Sequence, residues 1–262
     1  MIKIAHEAPI ALFDEVQMMT DYDYALVHLL DENTSYRNKF KKAKKQGREV
    51  LLDNSIFELG TSFDPDKYKE WIVDLNPDWY IIPDVLEDAE ATVKYVKDWD
   101  FDHPAKTIGV VQGKSIEEIA QCYLEVEPLV DKVAISFDYS FFISESMFGK
   151  MPTQYHYYML GRRKMIEMLL ENNIINQDKP HHLLGCGLPQ EFAVYKDYKW
   201  VDSLDTSNPV VAGIKGMRYD GLNGLQDKPS QKLFTLIKEK PTQDVKELIF
   251  NNIKKFRKIV NG

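Results

Sequence analysis

The chain has little cysteine. Cys122 and Cys186 are its only two, too few for a disulfide framework, or for a four-ligand zinc site without heavy help from histidine. It also lacks any apolar run near the roughly 20 residues that a membrane span requires. Its first residues, MIKIAHEAPIALF, do not show the basic stretch and long apolar core of a secretory signal. No internal repeat, low-complexity tract or linker divides it. Positive charge is in deficit, with 33 Lys and Arg against 41 Asp and Glu and a net charge of -8. That balance argues against a dedicated nucleic-acid-binding module, which usually shows a basic face. These absences lead us to expect a cytoplasmic, metal-free protein that needs no cofactor and does not meet a membrane.

What is present is a substantial apolar fraction, 44% over 262 residues, enough for one large α/β domain. The charge is unevenly spread. Tyr36 to Arg48 (YRNKFKKAKKQGR) carries seven basic residues and no acid, and Arg162-Arg163-Lys164 and Lys254 to Lys258 are smaller clusters. Each reads as a solvated helix face, or as a grip on phosphates.

Short apolar runs alternate with helical patterns along the whole chain. Expected strands are Ile2–Ala5, Tyr24–Leu30, Glu49–Leu52, Trp79–Ile82, Thr107–Val111, Lys132–Phe137, His181–Leu184 and Trp200–Leu204. Helices fall between them: Leu12–Met19, Ser35–Gln46 stopped by Gly47, Asp66–Leu75 behind Pro65, Glu87–Trp99, Ser115–Glu127 and Tyr155–Asn172. Ser115 and Glu118 have the spacing of a capping box. A Phe- and Ser-rich insertion near 139–154, a glycine-rich irregular segment Gly213–Gly224 and a closing amphipathic helix Thr242–Val260 complete the chain. Regular alternation of this kind means parallel strands with helical crossovers. Eight strands predict a single (β/α)8 TIM-like barrel over residues 1–262.

Several expected strands end in polar residues: Asp53, Asp84, Gln112 and Asp205, with Ser136 and Asp138 after the sixth. In a barrel these ends converge on the mouth where the chemistry is done. Three carboxylates and an amide suit a site that reads a polar heterocycle or sugar while one carboxylate attacks or moves protons. The plainer alternative is that each Asp caps the turn or helix after it. His6 and Glu7 could also line the mouth. His181 and His182 point to opposite faces of their strand, and Cys186 reads as a small buried residue.

Six segments, in order, carry a resemblance: DNSIFE (53–58), PDWYIIPDV (77–85), GVVQG (109–113), KVAISF (132–137), KPHHLLGCGLPQEF (179–192) and VDSLDTS (201–207). Together they resemble the tRNA-guanine transglycosylase family, whose members show DSGGF/Y-Q, an Asp after the next strand, a QG strand end, a glycine-rich strand end, KPRYLMGVGTPED and VDxFDC at equivalent places. The resemblance implies that Asp205 is the nucleophile attacking the sugar C1′. It implies that Asp53 is the acid/base for the purine ring nitrogen. Asp84 and Gln112 would read the base edges, Phe57 and Leu184 would sandwich the flat base, and Ser136, Phe137, Gly113 and Gly185 would complete the base pocket.

Three departures narrow the resemblance. The family's tRNA enzymes carry a CxCxxC…H zinc site after the nucleophile segment, and here no cysteine follows Asp205. The chain is shorter than the usual member. DSGGF becomes DNSIF, which fills the pocket floor. Short zinc-free relatives resemble the branch, known from phages and some bacterial defence islands, that exchanges guanine in DNA for a 7-deazaguanine such as 7-cyano-7-deazaguanine. The expected partners are therefore DNA, or alternatively tRNA, and the free base, in a host cytoplasm if the protein is phage-encoded. Lys215, Arg218, Arg37 and Lys41 are the candidates for phosphate contact. A glycosylase or nucleoside hydrolase using the same site, and an inactive partner-binding subunit, are the alternatives. An unrelated aldolase-like barrel would want a Schiff-base lysine or a metal cluster at a strand end, and neither is found.

Overall fold

The computed structural model describes residues 1–137, 149–151, 153–219 and 232–262. Their strands are β1 (Lys3–His6), β2 (Asp23–Leu26), β3 (Val50–Asp53), β4 (Trp79–Ile81), β5 (Lys106–Val111), β6 (Lys132–Ile135), β7 (His181–Leu183) and β8 (Val201–Thr206). β2, β3, β6 and β7 are buried at every position. Of these, β3 shows in Val50–Leu52 the apolar run expected of a strand covered on both faces, while β2, β6 and β7 also bury Asp23, Lys132, His181 and His182. The sheet is parallel, in the order β1-β8-β7-β6-β5-β4-β3-β2. With helices joining successive strands, this is an α/β fold of the (β/α)8 TIM-like class.

The helices are α1 (Phe13–Gln17), α2 (Val27–Glu32), α3 (Thr34–Lys45), α4 (Ile56–Leu59), α5 (Pro65–Leu75), α6 (Ala89–Asp98), α7 (Ile116–Val126), α8 (Gln154–Glu171), α9 (Asn208–Ile214) and α10 (Gln243–Asn261). Their starts are set by side-chain caps. Asn33, Asp64, Asp88 and Ser115 accept hydrogen bonds from the backbone N–H of Tyr36, Lys67, Ala91 and Glu118, at 3.1, 2.8, 2.9 and 3.1 Å. Such caps are worth about 1 kcal/mol each. Pro65 stands at the first position of α5, where its missing N–H costs nothing.

The chain divides into two compact units. One is Met1–Asp21, Ser136–Asn173 and His182–Gly262, and the other is Tyr22–Ile135 with Ile174–His181. Each unit is assembled from separated segments, so no single point on the chain parts them.

Several elements differ from the sequence reading. β2 stops at Leu26, and Val27 to Glu32 turn helical. Val27, His28, Leu29 and Leu30 are all buried, and a short apolar run does not by its period tell strand from helix. β6 ends at Ile135, so Ser136 and Phe137 lie beyond it. β8 runs on through Thr206, which puts Asp205 inside the strand rather than after it. The Glu118 carboxylate accepts from the N–H of Lys114 at 2.7 Å, not from Ser115, so the capping box closes one residue early. Gly213 belongs to α9. A Cβ there would stand 2.4 Å from Cγ1 of Ile249 on α10, so this glycine is present for close helix packing, not for an irregular chain. Residues 138–148, 152 and 220–231 are outside the described residues, and with them fall Asp138, most of the expected insertion and the rest of the glycine-rich segment.

Candidate active site

In the unit built on Tyr22–Ile135, the ends of β3, β4 and β5 are tied into one polar network. Asp84 is buried, and its two carboxylate oxygens accept from Nδ2 of Asn54 and Nε2 of Gln112, each at 2.7 Å. The amide ends are matched as well. Asn54 Oδ1 accepts from the N–H of Ile56 at 3.0 Å, and Gln112 Oε1 from that of Glu87 at 3.0 Å. Burial pushes the Asp84 carboxyl above its ordinary range, and the two amide donors oppose that shift. Asp84 therefore caps no helix; Asp88 does that for α6.

Asp53, at the end of β3, accepts from the hydroxyl of Tyr24 at 2.8 Å and from the N–H of Ser55 at 2.6 Å. The second bond is the local turn that the plainer reading of Asp53 anticipates. It holds Ser55 at φ 61°, a left-handed conformation that is uncommon outside glycine. Phe57 on α4 is 44% exposed, a large ring presented to solvent. Gly113, at φ 151°, has no room for a side chain, because a Cβ would lie 3.0 Å from the backbone nitrogen of Ile119.

In the other unit, Asp205 sits near the end of β8 with little exposure. Its Oδ1 accepts from the N–H of Gly185 and from Nε2 of His182, both at 3.1 Å. No donor among the described residues reaches its Oδ2. Nδ1 of the buried His182 ring is 3.0 Å from the Ser203 hydroxyl. Asp205 caps nothing.

The loop that presents Gly185 is held from beneath. Arg162 of α8 donates from Nη1 to the Leu184 carbonyl at 2.7 Å and from Nη2 to that of Gly185 at 3.2 Å. The same guanidinium is paired with Glu191, which also accepts from the Tyr195 hydroxyl at 3.0 Å. Burial alone would pull Arg162 down, but the Glu191 carboxylate outweighs it, and the guanidinium is held more firmly charged than usual. Gly185 adopts φ 62°, and a Cβ there would meet Cδ1 of Phe137 at 2.9 Å. Phe137 thus packs on the Gly185 backbone, and its ring meets Tyr158 edge-on at 5.2 Å. Ser136 and Leu184 are partly buried. On the far side of the loop, Asn208 donates to the carbonyls of Cys186 and Gly187, and itself accepts from the Tyr219 hydroxyl.

Arg162 corrects the reading of its cluster as a solvated face: it is fully buried. The signal was present, since 162, 165, 166 and 169 form one helical stripe, and the other three are Met165, Ile166 and Leu169. His6 is corrected too. Its ring meets Phe256 of α10 edge-on at 5.5 Å, so it faces the helix layer. Its side chain is on the same face of the sheet as that of its register partner Thr206, opposite to Asp205. Tyr24, Asn54, His182, Ser203 and Glu191 were missed as members of these networks, because strand register and loop packing bring them in.

The basic candidates separate into two kinds. Arg37 donates to the carbonyls of Leu30 and Asp31 and lies over the Trp71 ring at 4.7 Å, while Lys41 pairs with Asp74 at 2.8 Å. Lys215 and Arg218 are exposed. Among the described residues no group of three or more His, Cys, Asp and Glu could hold a metal ion, and no helix is long and apolar enough to cross a membrane. No protein-family model matches the chain, and no curated protein matches it either.

Proposed function

We propose that this protein is a base-exchange glycosyltransferase that replaces guanine in nucleic acid, DNA in preference to tRNA, by a 7-deazaguanine such as 7-cyano-7-deazaguanine. The observation that carries this reading is the state of Asp205. Its Oδ1 is fixed by Gly185 and His182, and Oδ2 meets no donor among the described residues, as a carboxylate nucleophile requires. The ordered resemblance of the six segments supports it, and the lack of cysteine after Asp205 favours DNA.

In this reaction Oδ2 bonds to C1′ as the C1′–N9 bond breaks. The electron pair leaves with guanine, whose ring nitrogen takes a proton from Asp53. The incoming base, deprotonated by the same Asp53, then displaces Asp205 and restores the N-glycosidic bond. Two displacements retain configuration, as in retaining glycosidases. Asp84 and Gln112 supply the polar edge that selects the base, and Phe57 and Leu184 supply stacking surface. The target nucleotide must leave the helix stack for C1′ to be reached.

The test is incorporation of labelled guanine, and then labelled 7-cyano-7-deazaguanine, into duplex DNA and bulk tRNA, with Asp205→Ala as the blank. Label in DNA that is lost in Asp205→Ala is the expected result. Label in tRNA alone would reverse the choice of polymer. No label from either base in either polymer sinks the transferase reading, and release of free guanine without incorporation would make the protein a glycosylase.

A further inference from the structure

We propose that His182 is the positioning residue for Asp205: it fixes one carboxylate oxygen so that the other is presented for attack. This rests on the reading of Asp205 as nucleophile. Ser203 and Asp205 are two residues apart on β8, so their side chains share one face of the strand. The ring of His182, on β7, lies between them, with Nδ1 3.0 Å from the Ser203 hydroxyl and Nε2 3.1 Å from Asp205 Oδ1.

The proton positions follow from hydrogen-bond capacity. Oδ1 already accepts the Gly185 N–H, and an ionised carboxylate only accepts. The proton of the His182–Asp205 bond therefore belongs to Nε2. In the neutral ring Nδ1 is then the acceptor, and it takes the Ser203 hydroxyl proton. Donation runs in one direction, from Ser203 to His182 to Asp205.

The same three residue types make a hydrolytic triad in other proteins, where the serine is the end that meets substrate. Here the order is reversed. Ser203 lies deeper along β8 than Asp205 and is 2% exposed, so the carboxylate is the working end and the serine is the anchor. With two donors on Oδ1 the carboxylate plane cannot swing, and Oδ2 keeps one direction of approach. Orientation of this kind is worth a large factor in rate, and a misplacement of about 1 Å costs roughly 10²-fold.

Three variants and one spectrum test this. His182→Leu removes the donor, His182→Gln keeps an N–H close to the Nε2 position, and Ser203→Ala removes the anchor. In the labelled-base exchange assay, His182→Leu should lower kcat roughly 10²-fold with KM little changed. His182→Gln should recover about tenfold or more of that loss, and Ser203→Ala should fall between wild type and His182→Leu. Because a buried histidine is replaced, imidazole ¹⁵N spectra of wild type are read independently of activity. They should show His182 protonated at Nε2 alone, with that signal shifting in Asp205→Asn. Protonation at Nδ1, a folded His182→Leu with wild-type kcat, or His182→Gln no better than His182→Leu would overturn the proposal while exchange persists. Absence of exchange in the wild type would instead remove the nucleophile reading beneath it.

Discussion

Arg162 and Glu191 face each other as a fork on a fork, Nε to Oε1 at 2.5 Å and Nη2 to Oε2 at 2.9 Å, with both side chains sealed from solvent. Desolvating two charges is costly, and an ion pair in such a place is stabilising mainly in the sense that neither partner tolerates being left alone. Here the pair also steers the loop after β7, since the same guanidinium holds the carbonyls of Leu184 and Gly185.

Arg162→Met or Glu191→Leu alone should each lower stability by about 3–5 kcal/mol, the usual cost of stranding a buried charge. The double variant should cost clearly less than the sum, because no charge is then stranded. Urea unfolding of the four proteins gives the coupling directly. Additive losses would mean that the two side chains act independently.

His6 makes the fold sensitive to acid. Burial, and after it the positive charge of Arg257, hold its imidazole down to about 3, whereas an unfolded chain titrates near 6.5. Among the described residues no hydrogen-bond partner is found for either ring nitrogen, and the Asp21 carboxylate, which favours a proton there, is outweighed by burial and Arg257. The folded state binds fewer protons, so this stabilisation is complete above about 6.5 and is lost as pH falls from there toward 3, at up to about 1.4 kcal/mol per pH unit. His6→Leu should flatten the decline in urea midpoint between about pH 6 and 4. His181, held down to about 4 chiefly by burial, leaves a residual slope. An unchanged profile in His6→Leu would contradict the assignment.

Gln112→Glu places a second carboxylate against Asp84, where the wild type has an amide donor at 2.7 Å. Two buried like charges raise each other's pKa. Groups whose pKa is raised on folding lose stability as pH rises through the folded value, so this variant should be near wild type at about pH 4 and weaker by about 1–3 kcal/mol at about pH 7. Thermal unfolding at the two pH values measures it. A deficit of the same size at both would show that packing, not charge, is at issue.

The exposed and the engaged cations should behave differently toward DNA under the proposed function. Lys215→Ala or Arg218→Ala should each reduce the slope of log affinity against log salt by about 0.9, the signature of one lost phosphate contact. Lys41→Ala should leave that slope unchanged, because its charge is already matched by Asp74. Equal effects at all three positions would return the basic helix α3 to the interface.

The sequence by itself determined the alternation of strand and helix, and with it the α/β class and the parallel sheet. Buried strands and helix starts write themselves locally, in apolar runs such as Val50–Leu52, in Pro65 at the start of α5 and in the cap that Ser115 supplies. It also marked Asp53, Asp84, Gln112 and Asp205, because a polar residue closing an apolar strand is visible without knowing its neighbours. Only the tertiary structure decided what those residues do there. That Asp84 is held by two amides, that Asp53 makes a turn and takes the Tyr24 hydroxyl, and that Asp205 is fixed by a glycine N–H and a histidine are facts of register and loop packing. They join residues far apart in the chain, and no local pattern carries them. Arg162 shows the limit most clearly. Its charge reads as solvent, its place in the stripe reads as core, and only the presence of Glu191 on the facing element decides between them.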